Sequence, residues 1–138
     1  MASLNLFTSF REAMAEKVHN LGSDTLKICL TNTAPSTSNT VLSNITQISA
    51  TGGYVTGGIQ ATQVSSSTSS GIYKLVINNV VFSATGAFGP FRYAVLYNAS
   101  ATNNELIGWW DYGSSISLAN LETFTVKHDL SAGSITIS

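Results

Sequence analysis

Apolar positions change period once along this chain. Phe7, Phe10, Met14, Val18 and Leu21 recur at steps of three, four, four and three, which marks one face of a helix. Ser9-Phe10-Arg11-Glu12 fits a capping box, in which the Ser hydroxyl and the Glu carboxylate each cover an orphan backbone N–H. Ser3 offers an alternative start one or two turns earlier. Gly22 suits the stop, because it takes the left-handed conformation without a Cβ clash. The pattern predicts a helix over residues 5–20, with Met1–Leu4 as a short free arm. A five-residue apolar stripe is normally core, so the helix is expected to close one end of the chain's own domain; docking on a neighbouring subunit is the alternative.

After Gly22 the period becomes two. Thr25–Thr31 reads as a strand, with Leu26, Ile28 and Leu30 on one face and Lys27 and Cys29 on the other. Asn32–Asn39 is turn chemistry around Pro35. Residues 40–58 carry short apolar pieces and the pairs Gly52-Gly53 and Gly57-Gly58, which predicts a long, irregular loop leading to a strand at 59–65. The tract Ser65–Ser70 holds nothing that could be buried and is expected to be a hairpin tip. Strands follow at Gly71–Asn78, Val80–Ala84, Pro90–Tyr97, Leu106–Tyr112, Ser115–Leu118, Glu122–Lys127 and Ser134–Ile137. About nine short strands with turns every 8–12 residues predict an antiparallel β-sandwich of jelly-roll type with one N-terminal α-helix. Residues 1–22 form the arm and helix, residues 23–138 the β-sandwich domain, together one structural unit.

Composition narrows the function. The chain has 138 residues, 43% hydrophobic and 9% charged, with a net charge of −1. A soluble domain carries about 25% charged residues. Here the polar quota is 20 Ser, 16 Thr and 11 Asn. Without a Lys/Arg cluster the chain is not expected to grip a phosphate backbone. It is too apolar for disorder, and it lacks the run of about 20 apolar residues that spans a membrane. The N-terminal residues have no basic n-region and no apolar h-region, so no secretory signal is expected. The lone Cys29 lies in an apolar run and reads as a small core hydrophobe, in keeping with a reducing compartment. Five of the thirteen charged side chains fall in the first 24 residues, so the dilution of charge belongs to the β-domain.

Candidate chemistry is sparse. His19 is expected in the last helical turn, favourable against the macrodipole. His128 beside Asp129 could be joined to a serine as a triad, but no Gly-x-Ser-x-Gly elbow supports it. There is no His-x-x-x-His, Cys pair or calcium loop, so neither metal nor cofactor is expected. Gly52–Gly58 has the glycines of a phosphate loop without its Lys, and reads as a tight loop.

Trp109 and Trp110 are flanked by Glu105 and Asp111 and followed by Tyr112. Carboxylates beside aromatics occur in glycoside hydrolases and on sugar-binding platforms. Adjacent strand residues point to opposite faces, so one Trp can fill the core while the other is exposed unless something covers it. Trp and Tyr are enriched at protein interfaces. The interface candidates are Phe91, Arg92, Tyr93, Trp109, Trp110, Asp111 and Tyr112, with Arg92 and Asp111 as charged partners of the aromatic anchors.

Three stretches carry a resemblance: Phe10–Val18 running into His19–Lys27, Gly89–Asn98, and Glu105–Ile116. In order and spacing they resemble a family of small virion structural proteins of tailed bacteriophages, across nearly the whole chain. The resemblance implies a non-enzymatic particle component assembled in the host cytoplasm, with no catalytic residues to carry over. A capsid decoration (cement) protein would contact the major capsid protein and copies of itself, as a homo-oligomer. A tail tube or fibre component is the alternative within that family, and a carbohydrate-binding module the alternative outside it.

Overall fold

The computed structural model describes residues 2–127 and 132–138. His128 and Asp129 lie outside the described residues. The elements in chain order are β1 (Asn5–Leu6), α1 (Ser9–Ala15), β2 (Leu26–Thr31), β3 (Ile59–Ala61), β4 (Gln63–Ser69), β5 (Ile72–Ile77), β6 (Val80–Ser83), β7 (Phe88–Asn98), β8 (Leu106–Leu118), β9 (Thr123–Val126) and β10 (Ile135–Ile137). A five-stranded sheet has the order β1-β8-β7-β2-β3, a three-stranded sheet β10-β5-β4, and a two-stranded sheet β6-β9; every pairing is antiparallel. The main core lies between the large sheet and the two small ones. It joins Leu26, Ile28 and Leu30 of β2 to Leu75 and Ile77 of β5 and to Phe82 and Val126 of the β6-β9 pair. The fold is a mainly β, sandwich-like antiparallel architecture with one N-terminal helix.

The large sheet is covered on its other side as well. Phe7, Cys29, Ile45, Val95, Tyr97 and Leu106 form a second, smaller core there. Residues 40–58, irregular as expected, supply part of this cover. Their glycines serve close approach: a Cβ on Gly58 would lie 1.8 Å from the Ile28 carbonyl oxygen. Past the end of β3 the edge of β2 is completed by this loop. The Ile48 N–H donates to the Leu30 carbonyl, and the Leu30 N–H donates to the Tyr54 hydroxyl at 3.1 Å. Tyr54 Oη in turn donates to Gln47 Oε1 at 2.7 Å.

The N-terminal segment differs from the sequence expectation in three ways. The helix has seven residues, and its cap Thr8 makes no side-chain cap bond, so the Ser9–Glu12 capping box does not form. Ser9 is already the first helical residue. The helix stops at Ala15 rather than near Gly22. Lys17 takes the left-handed conformation at φ 67°, the Val18 N–H bonds the Ala13 carbonyl, and the Lys17 N–H bonds the Met14 carbonyl. These are the two bonds of a Schellman stop, here on a lysine instead of a glycine. The predicted arm is not free either. Asn5 and Leu6 pair with Trp109 and Gly108, and Ala2 and Leu4 pack against the main core. A Cβ on Gly108 would meet the Asn5 carbonyl at 2.6 Å, so the glycine admits the arm. Phe10 is buried in the main core and Phe7 in the second, so this segment closes the chain's own sandwich.

Two strand assignments change. The Ser/Thr tract is strand β4, paired with β5 through Ser65–Ser69, and the turn is the dipeptide Ser70-Gly71, both at positive φ. Burial is not needed for an edge strand, because the backbone ladder holds it. Leu106–Tyr112 and Ser115–Leu118 are one strand, β8, bulged where Phe91 pairs with Ile116 and Tyr93 with Asp111.

Candidate interaction face

β7 and β8 place all seven interface candidates. Their register sets Ala94 opposite Trp110 and Val95 opposite Trp109, so the two indoles leave the sheet on opposite sides. Trp110 enters the main core at 2% exposure. Phe91 is wholly buried, 4.9 Å from the Phe124 ring, and the same ring receives Tyr112 edge-on at 4.9 Å and 87°. Phe91 and Trp110 are core side chains and cannot serve as surface anchors of the folded chain; Tyr112 is half-buried beside them, and Tyr93 on the other side of the sheet is only 8% exposed and no anchor either. The structural reason is the packing of the large sheet on the β6-β9 pair, which needs large rings to fill the gap.

Trp109 lies on the opposite face and is half-buried. Phe7 covers part of it, ring centroids 4.7 Å apart. Tyr93 and Asp111 are paired across β7 and β8 on this face. Arg92 grips Asp111 with two bonds, Nε to Oδ1 at 2.8 Å and Nη2 to Oδ2 at 3.1 Å, each side chain 38% exposed. Its guanidinium stands 5.4 Å from the Tyr93 ring centroid. Asp111 also accepts from the Gly113 N–H at 2.8 Å. The bond from Arg92, then that from Gly113, holds the Asp111 carboxyl below its usual range, and the same pair raises Arg92. The result is a planar, bidentate charge pair fixed beside aromatic surface, with all its strong acceptors already engaged. Such a charge-assisted, bidentate pair is fixed in geometry.

A polar cluster that the sequence did not signal lies between the end of α1 and β7. Asn98 is fully buried and donates to Asp24 Oδ2 at 2.6 Å, while His19 Nδ1 stands 3.0 Å from its amide nitrogen. The Asn98 carbonyl oxygen accepts from the Ser100 and Ala101 N–H groups. With Nδ1 accepting, the imidazole proton sits on Nε2. Burial lowers the His19 pKa, against the opposing pull of Glu105 and Asp24. His19 therefore lies beyond the helix, in a structural knot, and not in a last turn facing the macrodipole. An open cleft of about 440 Å³ borders it, with Lys17, Asp24 and Tyr73 among its walls. Cys29 is buried in the second core and burial pushes its thiol up to about 12, so it stays protonated. Among the described residues no group of three or more His, Cys, Asp or Glu side chains is placed to hold a metal ion, and no helix is long and apolar enough to cross a membrane.

Comparison of the chain with protein-family models, with curated proteins and with solved structures yields no match.

Proposed function

We propose that this chain is a non-enzymatic structural protein of a tailed-phage virion, a decoration protein seated on the head shell. The observation that carries the reading is the face formed by the half-buried Trp109 and the exposed Arg92–Asp111 pair, backed by the buried Tyr93 and mounted on the two longest strands of the sheet. Aromatic surface ringed by a locked charge pair suits protein recognition more than catalysis. The low charge of the β-domain supports it further, since uncharged Ser/Thr/Asn surface is cheaper to desolvate against a neighbour than charge is. The resemblance in the helix, Gly89–Asn98 and Glu105–Ile116 stretches supplies the particle context. The major capsid protein is the proposed partner.

Negative-stain images of the purified chain, alone and mixed with shells of that capsid protein, test this. Regularly spaced knobs on the shells are the expected result. Tubes or rings from the chain alone would instead make it a tail component, and bare shells beside free protein would remove the decoration role.

A further inference from the structure

The longest stretch of this chain without a charged side chain runs from Ile28 to Tyr73. It contains β4, the outermost strand of the three-stranded sheet. Six of the seven β4 residues are exposed. Among the described residues only β5 pairs with it. The hairpin closes at Ser69 and Ile72, so the backbone of Ser69, Ser67 and Ser65 faces β5. The N–H and C=O groups of Ser66 and Thr68 then point away from the sheet. Natural edges of this length are blunted by lysine, proline, inward charge or a bulge. β4 shifts register between Gln63 and Ser65, but its regular run Ser65–Ser69 has none of these devices; Val64 within the strand and Ile72 across the turn are 62% and 44% exposed.

We propose that β4 is a self-pairing edge: two copies of this chain join β4 to β4, antiparallel about a two-fold axis near Ser67. The occupant is a second copy because of what a two-fold axis requires. An antiparallel two-fold sets Ser67 against its twin and each other residue against the one equally far beyond the axis, so the strand must be complementary to its own reverse. β4 carries no charge to repel itself. Hydroxyls both donate and accept, so Ser and Thr side chains are complementary to themselves across strands. In this register Ser66 exchanges backbone bonds with Thr68 of the second copy. Val64 comes beside the Ser70-Gly71 turn of the other copy, near its exposed Ile72. The inference concerns an edge remote in sequence from the Trp109 face and does not depend on the virion reading.

Analytical ultracentrifugation of the full chain tests it, with Ser67→Glu as the variant. The new carboxylate stands opposite Lys74 on β5, which keeps it compatible with the fold, but meets its twin at the axis. The expected result is a dimer of the 14.5 kDa chain whose dissociation constant rises about tenfold or more in the variant, with an unchanged circular-dichroism spectrum. Should the variant unfold, hydrogen exchange of the native chain decides: the Ser66 and Thr68 amides gain protection as concentration rises. A monomer at all concentrations overturns the proposal and leaves shell attachment untouched. So does a closed trimer, since this contact is complete at two copies. A dimer that Ser67→Glu leaves intact, or one without added protection at Ser66 and Thr68, overturns it too.

Discussion

Trp109 and Trp110 are neighbours in sequence and belong to different parts of the molecule. Trp110 fills the main core among Leu30, Ala94 and the aromatic rings from the β6-β9 side. Trp109 stands on the outer face, covered in part by Phe7 and bordered by the second core. The inner face is sealed by two whole sheets. The outer face is covered by Phe7, by Leu42 and Ile45 of the loop and by Ala99, and it leaves Trp109 and the Arg92–Asp111 pair at its margin. The lesson is that a sheet covered on both sides can still be sealed to very different degrees on each.

Unequal effects from equal truncations follow. Trp110→Ala should cost about 3–5 kcal/mol, the range for removing a large core ring, read as a fall in the urea midpoint. Trp109→Ala should cost about 2 kcal/mol, because its ring keeps some exposure and Phe7 can settle into part of the space. Equal losses would erase the distinction between the faces. Tyr54→Phe removes the hydroxyl that serves the Leu30 N–H and Gln47, and should cost about 1–2 kcal/mol by the same measurement. A neutral result there would mean that the loop does not complete the β2 edge.

Smaller effects sharpen the contrast. His19 has its pKa lowered in the folded state, so the unfolded chain binds the extra proton first. Its contribution is complete above the ordinary histidine value near 6.5 and is lost as pH falls below it towards the folded value. Stability should therefore drop between neutral and mildly acid pH, and His19→Gln should flatten that drop. A steeper drop in the variant would contradict the buried, neutral assignment. Arg92→Ala is expected to leave the unfolding midpoint nearly unchanged, because the pair is exposed and solvent screens it. A clear loss of stability would assign the pair to the scaffold instead of the contact face.

Much of the architecture was legible. Strand β6 buries alternate residues, β7 reads as a near-continuous apolar run because the large sheet is covered on both faces, and the opposite orientation of the two Trp residues follows from adjacency on a strand. The orientation does not say which indole is inside. That depends on the β7-β8 register and on Phe7, which arrives from the far end of the chain. β4 was misread because an edge strand held by its backbone ladder leaves no hydrophobic period. The helix end was misread because Lys17 makes a stop normally made by glycine. The aromatic and charged residues of the candidate face were visible as types, but Phe91, Tyr93 and Trp110 proved to be buried, and the Asn98 knot gave no sign because its partners are far apart in sequence.

The most direct test of the contact face is the attachment of Arg92→Ala to shells of the major capsid protein, measured by co-sedimentation against the unaltered chain. The account predicts a variant that unfolds at the same urea concentration yet binds at least about tenfold more weakly, roughly 1.4 kcal/mol or more. Undiminished attachment by the folded variant would contradict it.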